Sequence, residues 1–433
     1  MFGWEFPPFI SGGLGTACYG LTRAMTDLGL EVIFVLPRAV ESSHSSHVTL
    51  LSPDGPVVPV RRRRGDEPIR ILGTEPGVGP YTRPEAAARA AEQARALRMT
   101  GRPDEPESAD PSGARQQPGS VIPSHYGGKL FDEVDRYARM ACRIVKGYSF
   151  DVIHAHDWMT FRAGIAVSTM TGRPLIVHVH STEFDRSGEN VNPRIYHIER
   201  EGMRRAARVI TVSRLTRNIV VERYGIDPDK VRVVHNAIET NGRLTAPPPP
   251  RIRGDEKIVL FLGRITMQKG PEYFVAAAAR VVERMNNVRF VMAGNGDMAE
   301  QVIETVARLG LARKVLFTGF LRGKDVERAF RSADLFVMPS VSEPFGLVPL
   351  EALSYGVPVI ISKQSGVAEV LQNAIKVDFW DVNQMADKIV AILSHPALHA
   401  SLRRKGMEEL AHFRWEDAAR ACVKVYREAG AEG

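Results

Sequence analysis

Two cations and two carboxylates stand in short glycine-flanked motifs of the second half of this chain. Arg264 and Lys269 lie in GRITMQKG (263–270), and Glu343 and Glu351, seven residues apart, lie in SEPFGLVPLE (342–351). Arginine offers a bidentate fork to phosphate oxygens and lysine a compact charge, so the pair could neutralise a diphosphate leaving group. A solvated basic turn would have the same spelling. Gly346 to Tyr355 read as a helix, which puts Glu343 on the loop before it and Glu351 one to two turns inside. The backbone amides of Phe345, Gly346 and Leu347 at that helix start suit an anion or a polarised hydroxyl. A glutamate there would also simply favour the helix dipole.

The first half supplies further polar loops. SGGLG (11–15) sets Gly12 and Gly13 before an amphipathic helix, where backbone amides can approach a ligand. Its spacing is neither the dinucleotide fingerprint nor a phosphate loop, since no GxGxxG and no GK[ST] is present. HAHDW (154–158) puts His154 and His156 on one sheet face. No third ligand stands at metal-site spacing, so the expectation is no metal, with His156 facing a cleft as a hydrogen-bond partner. HVHSTEFDR (178–186) and His235-Asn236 end two more strands in polar residues, and three such ends at one edge suggest a lined cleft.

The elements needed to carry these loops are legible as apolar runs. In the second half they are KIVLFLG (257–263), VRFVMAG (288–294), VLFTGF (315–320), DLFVMPS (334–340), PVIIS (358–362) and IKVD (375–378). Helical segments start near Pro271, Asp297, Gly323, Gly346 and Gly366. Continuously apolar strands alternating with helices predict a parallel sheet covered on both faces. The first half repeats the pattern at 31–36, 151–156, 174–180, 208–213 and 231–235. Its opening strand has only Met1 to Trp4, short of the usual five or six residues, which reads as a strand beginning upstream of Met1. Pro247 to Pro250 mark a stiff linker. The expected division is therefore 1–246 and 251–433, with the last helix packing back on the first domain. Arg61 to His125, with RRRR (61–64), an Ala-rich stretch and a Pro/Gly/acid-rich tail, breaks the pattern and reads as a mobile insert.

Composition narrows the partners. The chain has 433 residues, 44% of them apolar, and a net charge of +7, which excludes disorder and gives only a mild bias toward anions. Residues 61–125 hold 11 Arg against 9 acids, so RRRR is a local feature and nucleic acid is not the expected partner. Cys18, Cys142 and Cys422 form no CxxC pair, which points to a reducing compartment. No apolar run reaches the ~18 residues of a membrane span, and MFGWEFPPFISGG does not read as a secretion signal. The expectation is a cytoplasmic protein; peripheral membrane contact has no support in the residues.

GR-x4-KG, EPFG-x4-E, SGGLG, HAHDW and HNAI, in their order here, resemble the retaining glycosyltransferases of the GT4 family, glycogen-synthase-like group. The resemblance spans nearly all of the chain outside 61–125. It implies a GT-B fold, two Rossmann-like doubly wound α/β domains facing across a cleft, with a nucleotide sugar as a substrate, a carbohydrate or glycoside acceptor and no cofactor. By resemblance, Arg264 and Lys269 would hold the donor diphosphate and stabilise the departing nucleotide. Glu343 would contact the donor sugar beside the amides of Phe345, Gly346 and Leu347, Glu351 the ribose, and Leu321 of the GFL turn the base. Gly12 and Gly13 would approach the phosphates, His156 the transferred sugar, and Asn236 would line the cleft. Retention would proceed on one face of the sugar, since no carboxylate is placed as a nucleophile. Bacterial glycogen and starch synthases carry a lysine two residues before their GGL turn. Phe9-Ile10-Ser11 stand there in this chain, which argues against strict ADP-glucose use and an α-glucan acceptor, although glucose stays the first choice of transferred sugar. The readings carried forward are a hexosyltransferase acting on a glucan, a sugar phosphate or a lipid, and a non-catalytic nucleotide-sugar-binding protein. An epimerase or phosphorylase on the same fold is the nearest chemical rival.

Overall fold

In a computed structural model, residues 1–7, 13–37, 47–51, 128–239 and 256–430 are described. Gly12, the 61–125 insert and the prolines at 247–250 lie outside them. The first unit runs α1 (Gly13–Asp27), β1 (Ile33–Val35), β2 (Thr49–Leu51), α2 (Gly128–Ile144), β3 (Ile153–His156), α3 (Trp158–Thr171) and β4 (Leu175–Val179). It continues through α4 (Glu183–Ser187), α5 (Pro193–Arg205), β5 (Arg208–Thr211), α6 (Arg214–Tyr224) and β6 (Val231–Val233). All its strand pairs are parallel. The short opening segment is a true member of the sheet. Phe2 bridges Val35 on one side and Ala155 on the other, so it joins β1 to β3 as a central strand. Thr49–Leu51, at the edge, is a strand the sequence pattern did not announce.

The second unit holds β7 (Lys257–Leu262), α7 (Pro271–Val282), β8 (Val288–Ala293), α8 (Ala299–Arg308), β9 (Val315–Gly319), α9 (Lys324–Ser332) and β10 (Leu335–Met338). After these come α10 (Leu347–Ser354), β11 (Val359–Ser362), β12 (Ile375–Val377), α11 (Val382–Ser394) and α12 (Pro396–Glu409). Its six strands are parallel in the order β12-β11-β10-β7-β8-β9. The inner strands β10 and β11 are buried at every position, which is why they read as unbroken apolar runs, whereas β9 at the edge leaves Leu316 exposed. The order reverses between β7 and β10, and a doubly wound sheet opens a crevice at the carboxyl ends of such a pair. GRITMQKG leaves β7 and SEPFG leaves β10, so both motifs rise from that one point. The expected helix at Gly366 is only a 3₁₀ turn, Gly366–Glu369. The Gly366 amide is tied to the Glu343 carbonyl at 2.9 Å, and the turn ends where the amides of Gln372 and Asn373 donate to the Glu409 carboxylate instead of continuing the helix.

The final helix, α13 (Trp415–Gly430), leaves the second unit. Trp415, Ala418, Ala419, Cys422 and Val425 pack with Cys18, Leu21 and Met25 of α1 in one apolar cluster. Where the chain re-enters the first unit, the Ile238 amide donates to the Phe413 carbonyl at 3.3 Å.

Other polar contacts also cross between the units. Both carboxylate oxygens of Glu369 accept from the amides that open α6, Arg214 at 2.9 Å and Leu215 at 2.7 Å, and His235 Nε2 lies 3.3 Å away. Ser342 Oγ donates to Asp185 Oδ1 at 2.6 Å. Burial pushes the Glu369 carboxyl up, but its bonds from His235, Arg214 and Leu215 together outweigh that and hold it below the ordinary carboxylate value of 4.5. A depressed carboxylate contributes fully above its unperturbed value and loses that contribution as pH falls through the lowered one. Glu369→Gln at neutral pH should therefore weaken the closed arrangement by about 1–2 kcal/mol. Small-angle scattering should show a larger radius of gyration for the variant at pH 7, which the parent reaches only as pH falls below 4.5. Identical curves would remove Glu369 from this role.

Candidate active site

Lys269 and Glu343 meet at the crevice between β7 and β10. Lys269 Nζ lies 2.6 Å from Glu343 Oε2, with both side chains largely buried. Ser340 Oγ donates to the same oxygen at 3.3 Å, while the Glu343 amide donates to the Gln364 carbonyl at 3.0 Å. Both side-chain bonds fall on Oε2, so Oε1 of Glu343 accepts no hydrogen bond from the described residues. Arg264 sits on the same loop, its guanidinium 3.3 Å from Gln268 Oε1. Gln268 is buried, and its carbonyl accepts the Val341 amide at 2.9 Å. The loop after β7 is thus sewn to the loop after β10.

Helix starts complete the floor. Gly346, at φ +106°, precedes α10 with no side-chain cap, so the first amides of α10 have no side chain of Gly346 to satisfy them. Gly13 opens α1, and a Cβ on it would lie 3.7 Å from Leu347 at the start of α10. Two helix amino ends therefore converge from the two units, and both favour negative charge. Phe345 is buried with its ring 6.0 Å from that of His235, and Asn236 is buried on the next residue. The structure thus brings Gly13, Lys269, Arg264, Glu343, Phe345, Gly346, Leu347 and Asn236 to one region. Glu351 lies in the second turn of α10, half-buried. Leu321 follows β9 and packs against the apolar cluster of the second unit.

His156 differs from its expected place. Its ring is fully enclosed, stacked 4.3 Å from His154 under α1 and α13. Its Nδ1 lies 3.0 Å from Nε2 of His180, which is part-exposed at the end of β4, so the ladder meets the surface at His180. The parallel register pairs His156 with His178 and thereby brings together imidazoles that lie 22 residues apart in the sequence. Sequence spacing could not show this. Two overlapping sets, His154/His156/His178 and Cys18/His156/His180, have ligand atoms within 4.8 Å of one another and could hold a borderline-soft divalent ion. In the structure the rings instead bond to each other and to Tyr426, whose hydroxyl lies 2.5 Å from His154 Nδ1. His156 Nε2 and His178 Nε2 are left without a partner among the described residues. Burial pushes all four imidazoles down, His180 to about 3, which keeps them neutral.

Asp157, which follows His156 at the end of β3, has a structural role that its sequence neighbours do not announce. It has φ +59°, the one positive φ outside glycine among the described residues. Its Oδ1 accepts the amides of His180 at 2.7 Å and Ser181 at 3.3 Å, so it pins the loop after β4. Burial raises its carboxyl to about 7 against the pull of those bonds. Beyond it, Thr182 and Asp185 cap α4 reciprocally, and Arg186 joins the buried carboxylates of Glu183 at 3.1 Å and Glu199 at 2.5 Å.

Known proteins resemble this chain in sequence and in fold. The model of glycosyl transferases group 1 matches residues 243–409, and that of Glycosyltransferase Family 4 matches residues 99–241. An uncharacterized glycosyltransferase of Methanocaldococcus jannaschii is 32% identical over 64% of this chain and 75% of its own. A glycogen synthase of Mycobacterium tuberculosis is 28% identical over 64% of this chain and 68% of its own. The solved structure of sucrose-phosphate synthase from Thermosynechococcus elongatus superposes with a TM-score of 0.68 at 20% identity, covering 98% of this chain and 94% of that one. The shared fold is GT-B. Among the described residues no helix is long and apolar enough to cross a membrane.

Proposed function

Because this chain belongs to the family 4 glycosyltransferases, we propose that it moves a hexose, glucose first, from a nucleoside-diphosphate sugar to a carbohydrate acceptor with retention of configuration. The observation that carries this reading is the Lys269–Glu343 pair, 2.6 Å apart, beside two converging helix amino ends. Breaking the bond from the sugar's anomeric carbon to the diphosphate leaves negative charge on the phosphate oxygens. Arg264, Lys269 and the amides opening α1 and α10 are the groups that stabilise it. This needs no metal ion. Lys269 holds one oxygen of Glu343, which presents the other to the hydroxyls of the donor sugar. Glu351 takes the ribose, Leu321 the base, and Asn236 the cleft wall. The acceptor hydroxyl attacks from the side the leaving group departs, and its proton passes to the leaving phosphate oxygen. His180, at the exposed end of the histidine ladder, orients His156 and is the imidazole closest to solvent.

The candidate acceptors are a glucan, named by the glycogen synthase relative, a sugar phosphate and a lipid. The test is a panel of UDP- and ADP-sugars against glucan, sugar-phosphate and lipid acceptors, with products detected by mass. Release of the nucleoside diphosphate with a hexose added to one acceptor is the expected result. Tight donor binding with no turnover on any acceptor would instead make the protein a nucleotide-sugar-binding module.

A further inference from the structure

All four tryptophans are described: Trp158 and Trp415 are buried and Trp4 is half-buried, whereas Trp380 is 57% exposed. It follows β12 at the carboxyl edge of the second sheet, the edge from which the catalytic loops rise. Its ring meets that of Phe379 edge-on at 4.8 Å, and Phe379 meets Tyr273 in the same manner at 5.0 Å. The three rings form a braced shelf. Two chain segments join it to the Lys269–Glu343 pair. Tyr273 lies in the first turn of α7, three residues beyond Gly270, against which its Cδ2 packs. Asp378, next to Phe379, accepts from Gln364 Nε2 at 3.1 Å and Lys363 Nζ at 2.8 Å, and the Gln364 carbonyl in turn holds the Glu343 amide. Met267, 39% exposed, adds apolar surface on the turn that carries Lys269.

A large ring held in water beside a catalytic crevice is a binding feature in waiting. Here it is rimmed by a lysine, a carboxylate and an amide. That mix suits a pyranose, which offers an apolar C–H face to a ring and hydroxyls to polar neighbours. We infer that Tyr273, Phe379 and Trp380 form a subsite for an extended pyranose oligosaccharide, holding acceptor units beyond the one that reacts. The role of acceptor rests on the functional reading above, but binding to the shelf does not.

The full chain is titrated with α-1,4- and β-1,4-linked gluco-oligosaccharides, from the monosaccharide to the heptasaccharide, while tryptophan emission is followed. UDP binding is measured separately by calorimetry. The expected result is a saturable emission change that strengthens with chain length in one of the two series. Trp380→Ala should abolish the change and weaken heptasaccharide binding by about tenfold, with UDP affinity kept within about twofold as the check on folding. No response to either series, or unchanged heptasaccharide affinity in Trp380→Ala, overturns the proposal. Absent UDP binding would count against the functional reading alone, because the oligosaccharide titration uses no donor.

Discussion

Replacing Lys269 by alanine is expected to lower kcat by about 10²–10³-fold, the usual cost of removing one donor aimed at developing charge. The variant should keep its fold, since the side chain sits on a 3₁₀ turn rather than in an apolar cluster. It would, however, leave the Glu343 carboxylate, 8% exposed, without its cation. A buried charge stripped of its partner is destabilising. Adding Glu343→Gln should therefore recover melting temperature without recovering turnover. Steady-state kinetics with the donor found in the panel, together with thermal melts of both variants, would check this. Turnover within about twofold of the parent would exclude Lys269 from leaving-group stabilisation.

The second large effect is predicted at Gly270. Its φ is +61°, and a Cβ would stand 2.2 Å from the Pro339 carbonyl oxygen, a backbone atom with no rotamer to yield. Gly270→Ala should cost about 2–4 kcal/mol, combining a left-handed backbone with a clash. The damage should also be chemical. Gly270 abuts the segment that leaves β10, so pushing it away parts Lys269 from Glu343. A fall in urea midpoint accompanied by a rise in donor KM is the expected pair of readings. A parent-like midpoint would show that the two loops are not held by this contact.

Much of the fold was legible because a parallel sheet buried on both faces spells its strands as apolar runs. Lys257–Leu262 and Leu335–Met338 could be found that way, and with them the loops bearing Lys269 and Glu343. Local chemistry was legible too, since Gly346 before a helix announces free amides. Less legible was whatever depends on register or on contacts between distant segments. His154 and His156 looked like a pair lacking a third member, and only the pairing of β3 with β4 supplies His178 and His180. His156 looked like a cleft residue because a strand end implies an edge; the weight of α1 and α13 over that edge has no local signal. Glu369 bonds to amides 155 and 154 residues away, and nothing in SGVAEVL foretells this. The helix expected at Gly366 stops after one turn because the amides of Gln372 and Asn373 donate to the Glu409 carboxylate instead of to carbonyls four residues back, again a distant partner.

The bond between Ile238 and Phe413 has a further meaning. The first unit is described up to residue 239 and the chain is back beside it near residue 413, where Ile238 and Phe413 touch. Topologically the second unit is a guest inserted into a host whose first and last helices, α1 and α13, already pack together. Side-by-side crossings act as a single axle, so the guest can swing about one point without prying α13 from its seat. They also mean that the host's cut ends, were the guest excised, would lie within a hydrogen bond of each other, close enough for a very short peptide to rejoin them.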